Sequence, residues 1–426
     1  MAEALPGNRQ ARNGGLWRQR DFRRLWIAET VSHVGTMVNQ LALPLVAILV
    51  LHSSTFQVGL LLAFQSSAFL IVGLPAGAWV DRMRSRSVLI LNNVLRAVGV
   101  GSIPAAAIVH LLSMSQLYVV ALVVGVSTVF FDVAYQSYLP ELVGRGALVE
   151  GNARLQASES IAQVVGPGIG GLLVQALSAP YALIVDALSF LWSATWITAI
   201  RSPAPEPERR PDRHLGREIT EGLRFVLGNR LLRAIAMCTA TGNLFTAIAF
   251  SAYYVLLARE LQLSPGLIGL ITSSSAVGGV LGSLAAKRIA ARLGQGPTIW
   301  IVVLAGAPTG FVAPFVHKDW TIALLGLAQM VFWGRVVVYN VAQVSFRQGL
   351  CPPELLGRMN ATMRFLVWGT LPVGDVLGGL LGSTLGVRPT LFIAAVGGCL
   401  PFLPTFFSPL RKMRELPTYE TGRMRR

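Results

Sequence analysis

Five carboxylic acids interrupt otherwise apolar stretches of this chain: Glu29, Asp132, Glu159, Asp186 and Asp375. An ionised carboxylate in hydrocarbon costs at least about 2.5 kcal/mol, so each must face a water-filled cavity, meet a base or hold a proton. A carboxyl whose affinity for protons differs between two access states is all that proton coupling requires chemically. Glu29 and His33 are one helical turn apart on one face, where they can titrate together; alternatively, Glu29 reaches the interface near Arg23 and Arg24. Asp375 and Arg335 are the deepest charges in the second half of the chain, either as a buried structural ion pair or as one that breaks and re-forms during a conformational cycle. Asp132 lies near the inner end of its segment, where three roles are open: pairing with Arg82 or Arg86, carrying a proton, or a passive helix-end contact. Glu159 is close enough to a helix end to be solvated, and Asp186 sits beside an outer loop as a structural or interfacial group.

The elements that must position these groups are membrane helices. With 53% hydrophobic and 13% charged residues over 426 positions, the chain is too apolar for a soluble protein. Twelve segments are long enough to cross a bilayer, near 27–51, 58–80, 88–111, 117–137, 155–177, 181–200, 234–258, 266–286, 298–316, 320–343, 363–385 and 389–408, with Gly and Pro interrupting the eighth and eleventh. Of the 36 Lys and Arg, only Arg259, Lys318 and Arg388 fall in loops of one side, and Arg96 and Arg335 lie within spans. The rest crowd the other side, which predicts that both termini are cytoplasmic in the cell membrane. The +16 net charge is therefore topological, and nucleic acid is not an expected partner.

The expected organisation is a basic tail (1–24), a six-helix half (25–200), a cytoplasmic linker (201–233), a second six-helix half (234–410) and a basic tail (411–426) that meets lipid headgroups. The linker opens Pro-rich and continues into Leu215, Ile219, Leu223 and Val226 at helical spacing, which predicts an amphipathic helix on the inner membrane surface. The halves are copies: Asn152-Ala153 and Gly170-Gly171-Leu172-Leu173 recur at one constant spacing as Asn360-Ala361 and Gly378-Gly379-Leu380-Leu381, and Asp132-Val133-Ala134 falls on Asn340-Val341-Ala342. Two parallel copies of a helical membrane unit can enclose a cavity that opens alternately to either side.

Between the second and third spans stands Gly77-Ala-Trp-Val-Asp81-Arg82-Met-Arg84-Ser-Arg86. With twelve helices and parallel halves, this resembles the signature loop of the major facilitator superfamily. That resemblance implies a glycine that lets two helices pack closely, and a relay of Asp81 with Arg82, Arg86 and Asp132 that latches the outward-facing state. The chain departs from the usual pattern at Arg84 and Ser85, and the matching loop of the second half, Lys287 to Arg292, holds bases but no acid. Gly166, Pro167, Gly168, Gly170 and Gly171 in the fifth span look like the superfamily's antiporter motif, with ordinary tight helix packing as the alternative. Phe130-Phe131-Asp132, Leu139-Pro140-Glu141, Phe22-Arg-Arg-Leu-Trp26 and Val185-Asp186 are similar to the exporter branch containing macrolide-efflux and enterobactin-export proteins. The resemblance implies a proton-driven antiporter that extrudes an amphipathic small molecule such as a drug, a macrolide-like product or a siderophore.

Phe131, Tyr135, Phe245, Phe250, Tyr253, Phe332, Tyr339 and Asn340 are candidates to line an apolar cargo cavity, although lipid contact or helix packing explains any one aromatic equally. No metal site, cofactor or disulfide is indicated: Cys238, Cys351 and Cys399 are far apart, and the five His are scattered. No phosphate-binding Gly-rich loop with Lys is present, which favours secondary transport over ATP-driven movement, and the expected state is a monomer. The competing functions are an importer of the same fold and a receptor or scaffold that moves nothing.

Overall fold

The computed structural model describes residues 16–73, 75–80, 82–144, 147–201, 215–352 and 355–415, and among them every regular element is a helix. The spans run α1 (Arg20–Leu45), α2 (Thr55–Val72), α3 (Ser85–Ile108), α4 (Met114–Val143), α5 (Leu148–Leu177) and α6 (Ala179–Thr198) in one half. The other half holds α7 (Arg230–Val255), α8 (Pro265–Leu293), α9 (Gln295–Gly306), α10 (Ile322–Leu350), α11 (Leu356–Trp368, resuming as Thr370–Thr384) and α12 (Val387–Gly397). Large apolar side chains such as Val98, Val119, Ile161, Leu172 and Leu284 remain exposed around the bundle, as a lipid-facing surface requires. Eleven helical stretches among the described residues are long and apolar enough to cross a membrane. The twelfth, α12, stops at the Gly397-Gly398 pair and resumes past Pro401 as a single turn, Leu403–Phe406.

The breaks fall partly elsewhere than expected. The eighth span is continuous, whereas α9 tightens through a 3₁₀ segment, Ala307–Phe311, around Pro308, and α11 breaks at Gly369. The second span ends at Val72 and gives way to a short helix, Pro75–Val80, because Pro75 supplies no backbone N–H.

Internal duplication is written into the backbone. α1 runs into a π-turn at Val46–Val50, and α7 into one at Leu256–Glu260. His52 and Gln262 follow, both with φ of 48°, and then Ser54 and Ser264, whose hydroxyls accept the Gln57 and Leu267 amides at 3.2 and 3.3 Å to cap α2 and α8. Ser178 and Gly386, at φ of 72° and 95°, make the matching turns before α6 and α12. The two halves are therefore parallel-related copies.

The apolar core divides unequally. At the face away from the chain ends, one cluster draws from both halves, joining Val38, Leu41, Leu45, Val58 and Val174 to Leu256, Leu257, Leu263, Ile268 and Ile271. At the basic face, which holds the described chain ends, Phe22, Leu25, Leu89 and Tyr138 form a core of the first half alone. Leu232, Ile299, Phe346 and Met359 form one of the second half alone. The linker helix, Leu215–Gly228, lies against α11 rather than only on the membrane surface: Val226 is buried in the second-half core, Glu221 forms an ion pair with Arg358, and a side chain at Gly222 would meet the Arg358 carbonyl.

Interdigitation of α2 with α11 makes closure of the far face directly testable. A Cβ built on Gly382 lies 3.2 Å from Thr55 Cβ, close to disulfide geometry. In a background without native cysteines, Thr55→Cys with Gly382→Cys should form an intramolecular disulfide under mild oxidation. After proteolysis in the 202–214 linker, the halves then migrate together until reduced; separate halves without reductant would contradict this closure.

Candidate functional site

Arg96, which the reading of the sequence placed in a span but gave no role, organises the interior of the first half. Its guanidinium carbon lies 4.3 Å from the Phe131 ring centroid and 4.4 Å from that of Phe190, so α4 and α6 clasp it between aromatic faces. Nη2 donates to Asn93 Oδ1 at 2.6 Å, and Asn93 Nδ2 donates in turn to Ser193 Oγ at 2.9 Å. Three carboxyls act on this charge: Glu29, Asp186 and Asp132.

Asp186 is fully buried in the cluster, where it accepts Asn39 Nδ2 at 2.6 Å and Ser189 Oγ at 3.4 Å. Of the two roles expected for it, the structural one fits and the interfacial one does not, because α6 begins at Ala179, two turns earlier, and turns this residue inward. Gly35 makes the approach possible: a Cβ there would stand 2.8 Å from Asp186 Oδ1 and 2.7 Å from Ser189 Cβ. Glu29, 4% exposed, has one oxygen without a hydrogen-bond partner and the other 3.9 Å from His33 Nε2, as their spacing on one face anticipated. Glu29 is thus directed inward and away from Arg23 and Arg24. Asn39 and Asn93 also went unassigned from sequence; amides in apolar spans carry the same signal as charges, since each must find a partner.

The latch around the signature loop takes a different form. Asp81 lies outside the described residues. Arg86 donates to the Ile197 and Thr198 carbonyls at 3.2 and 2.5 Å, satisfying the C-terminal end of α6, while Arg82 is exposed. Asp132 instead feels the charges of Arg96 and of Arg364, which lies on α11 in the opposite half. Gly77 was expected to permit close packing, yet a Cβ there would meet nothing within 4 Å. Its short helix packs on α4 through Ala76 and Trp79, and among the described residues no helix of the opposite half comes close to Gly77.

Asp375 and Arg335 form no ion pair among the described residues, which corrects the reading as a standing structural pair. They point to different places. Asp375 lies where the halves meet and accepts Ser66 Oγ of α2 at 2.8 Å, while its backbone carbonyl accepts Ser251 Oγ of α7 at 3.0 Å. Arg335 turns into the second half, 4.4 Å over the Phe332 ring. It lines a partly enclosed cavity of about 130 Å³ together with Phe245, Phe250, Tyr253, Gln329 and Phe332.

Four of the eight candidate cavity residues therefore converge. Tyr339 is buried in the second-half core, sharing a 2.5 Å hydrogen bond with Thr239. Phe131 stacks on Tyr135 within the first half, and the exposed Asn340 accepts Gln343 Nε2 at 3.3 Å.

The glycines of α5 face two ways. Gly166 and Gly170 admit Met37 and Val38 of α1, with Gly170 leaving 3.2 Å between a built Cβ and Val38 Cα. Gly171 admits the α8 backbone at Gly266 and Gly269, and Gly168 meets Ser273. Gly378 against Ile248 of α7 and Gly379 against Gly59 of α2 repeat the arrangement. This strip seals the half to its own first helix and to the opposite half.

Comparison with known proteins follows the same lines. Residues 15–424 match the model of a family described as transmembrane secretion effector. The chain is 28% identical over 363 residues to the multidrug efflux pump Tap of Mycolicibacterium fortuitum, covering 82% of this chain and 85% of that protein. It is 26% identical over 373 residues to the enterobactin exporter EntS of Escherichia coli O127:H6, covering 87% and 86%. Among solved structures, the nucleoside transporter NupG superposes with a TM-score of 0.71 at 13% identity, covering 91% of this chain and 99% of that one. A bacterial homologue of the iron transporter ferroportin in an inward-facing state gives 0.69 at 15%, covering 92% and 99%. At these identities the structural likeness establishes the fold.

Removing the central cation should expose its importance to the fold. Arg96→Gln leaves buried carboxyls without their base and should lower stability by about 3 kcal/mol, and Glu29→Gln in the same chain should restore part of that. Thermal melts of the single and double variants in detergent check this; additive losses would contradict coupling.

Proposed function

Because the chain belongs to the transmembrane secretion effector family, we propose that it exports an amphipathic small molecule across the cell membrane in exchange for protons, by alternating access with both termini in the cytoplasm. The observation that carries the proton reading is the ratio of charges inside the first half. Three carboxyls, Glu29, Asp132 and Asp186, share the interior of the first half with one buried guanidinium, none of them in an ion pair with it among the described residues. One cation balances one anion, so the surplus carboxyls are where protons can bind and leave as the surroundings change. His33 beside Glu29 extends the cluster with a group suited to passing protons near neutral pH.

Alternating access draws support from the unequal core. With the basic face in the cytoplasm, the shared cluster closes the outside and the separate cores leave the inside open. In the opposite conformation the outer contacts part, including the hydrogen bond from Ser66 to Asp375, and that carboxyl meets external water. The inner ends then close, bringing Gly77, Asp81, Arg82, Arg86 and Asp132 into the latch. Export is supported by the efflux relatives, a multidrug pump and an enterobactin exporter, and these point to a drug or siderophore class of cargo.

Sealed proteoliposomes loaded with a pH-sensitive dye provide the test, with macrolides, siderophores and cationic dyes as trial cargo. Cargo should drive proton movement in the wild type, and Asp132→Asn, Glu29→Gln or Asp375→Asn should reduce that coupling by about tenfold or more while cargo binding persists. Cargo flux without proton flux at any imposed gradient would overturn antiport.

A further inference from the structure

Each half sets an arginine of a membrane span against aromatic rings, but only one of the two has acids around it among the described residues. Arg96 has Glu29, Asp186 and Asp132. Among the described residues Arg335 has no such carboxylate: the ionisable groups that act on it are Cys238, Tyr339 and Cys399, two thiols and a phenol that are neutral near pH 7. Like Arg96 it makes no ion pair there and leaves its Nε without a hydrogen-bond partner. A guanidinium inside a membrane span without a counter-ion costs at least about 2.5 kcal/mol, and the Phe332 face offsets only part of that. Such a group is retained where an anion comes to it.

The surroundings of Arg335 are shaped to receive one. Its cavity, about 130 Å³, is lined mainly by apolar and aromatic side chains. The volume is similar to that of a dry cavity of about 150 Å³ that admits benzene, so one ring of a larger molecule fits inside while the remainder lies at the open mouth. Two glycines keep the space in this form. A side chain at Gly306 would collide with Arg335 Cγ and Cδ and dislodge the guanidinium, and one at Gly397 would collide with the Phe245 ring. Thr246, Tyr253, Thr309 and Gln329 are the other polar side chains at the wall, and all are neutral.

We propose that this cavity is the anchor site for an amphipathic organic anion, with an acidic group held by Arg335 and an adjoining ring packed among Phe245, Phe250 and Phe332. That the anion is transported cargo rests on the export reading above; that the site binds it does not. The arrangement needs no carboxylate of the protein, so loading neither breaks an internal ion pair nor requires a proton. It also sets a preference: a cationic amphipath of the same shape meets an uncompensated positive charge.

Fluorescein and rhodamine 6G share one ring system and differ in charge, and both report binding by fluorescence anisotropy. With the full chain in nanodiscs of zwitterionic lipid, fluorescein should bind at least about tenfold more tightly to wild type than to Arg335→Gln, while rhodamine 6G is unaffected or favoured by the substitution. Arg335→Lys keeps the charge and should retain most of the affinity. Its thermal melt, with that of Arg335→Gln, separates loss of the site from loss of the fold. Equal losses for both dyes, a wild-type preference for rhodamine, or binding of neither dye overturns the proposal. Nanodiscs containing phosphatidylglycerol form the second arm: loss of fluorescein binding there means that a lipid headgroup occupies the site and overturns its assignment to cargo. Fluorescein binding without transport in proteoliposomes would instead defeat export and leave the site standing. Rhodamine extrusion without fluorescein binding would do the reverse.

Discussion

Hydrocarbon does not tolerate an unbalanced charge, and the clasp on Arg96 is how the first half meets that constraint. A single guanidinium between Phe131 and Phe190 draws α3, α4 and α6 together, and the acids it attracts bring in α1 through Glu29. Asp186 completes the ring by accepting Asn39 of that same helix across the gap left by Gly35. Remove the charge and four helices lose their common partner. The packing of that half is therefore organised from its polar centre outward, the reverse of a water-soluble fold.

The second half starts from a copied backbone and solves the problem differently. Around Arg335 no acid forms an ion pair among the described residues, and in place of a filled network there is an aromatic hollow. A duplicated framework thus carries two chemistries: one half rich in exchangeable protons, the other in apolar surface with a single positive charge. Between them, glycine pairs let α2 meet α11 and α5 meet α8 almost backbone to backbone. Contacts of that kind use little specific side-chain chemistry, so they can part and re-form without leaving buried polar groups stranded.

The membrane class, the spans and the duplication were legible because each rests on many residues at once: apolar runs about 20 residues long, one-sided Lys and Arg, and repeated dipeptides at constant spacing. Helix breaks were less so, since Gly and Pro mark permission to bend and not the act; Pro265 merely starts α8, whereas Pro308 tightens α9. Within the site, Glu29 and His33 were legible from local spacing. The partners of Asp186, Asp375 and Arg335 were not, because they come from helices remote in the chain, such as Asn39 for Asp186 and Ser66 for Asp375. Depth along a helix says little about direction around it. Arg335 and Asp375 have comparable depth and face different neighbours.

The paired π-turns at Val46–Val50 and Leu256–Glu260 carry a consequence of another kind. A π-turn is one residue inserted into a finished helix, and it disturbs the hydrogen-bond ladder wherever it arises. It stands at matched places in the two halves, each followed by a residue at φ of 48°, so it belongs to the repeated framework and not to one half's local sequence. The two turns also touch across the shared core at that end, so the same distortion faces itself where the halves meet. Any movement that parts the halves there must release both turns together, and neither half can shift its own without losing the fit to the other.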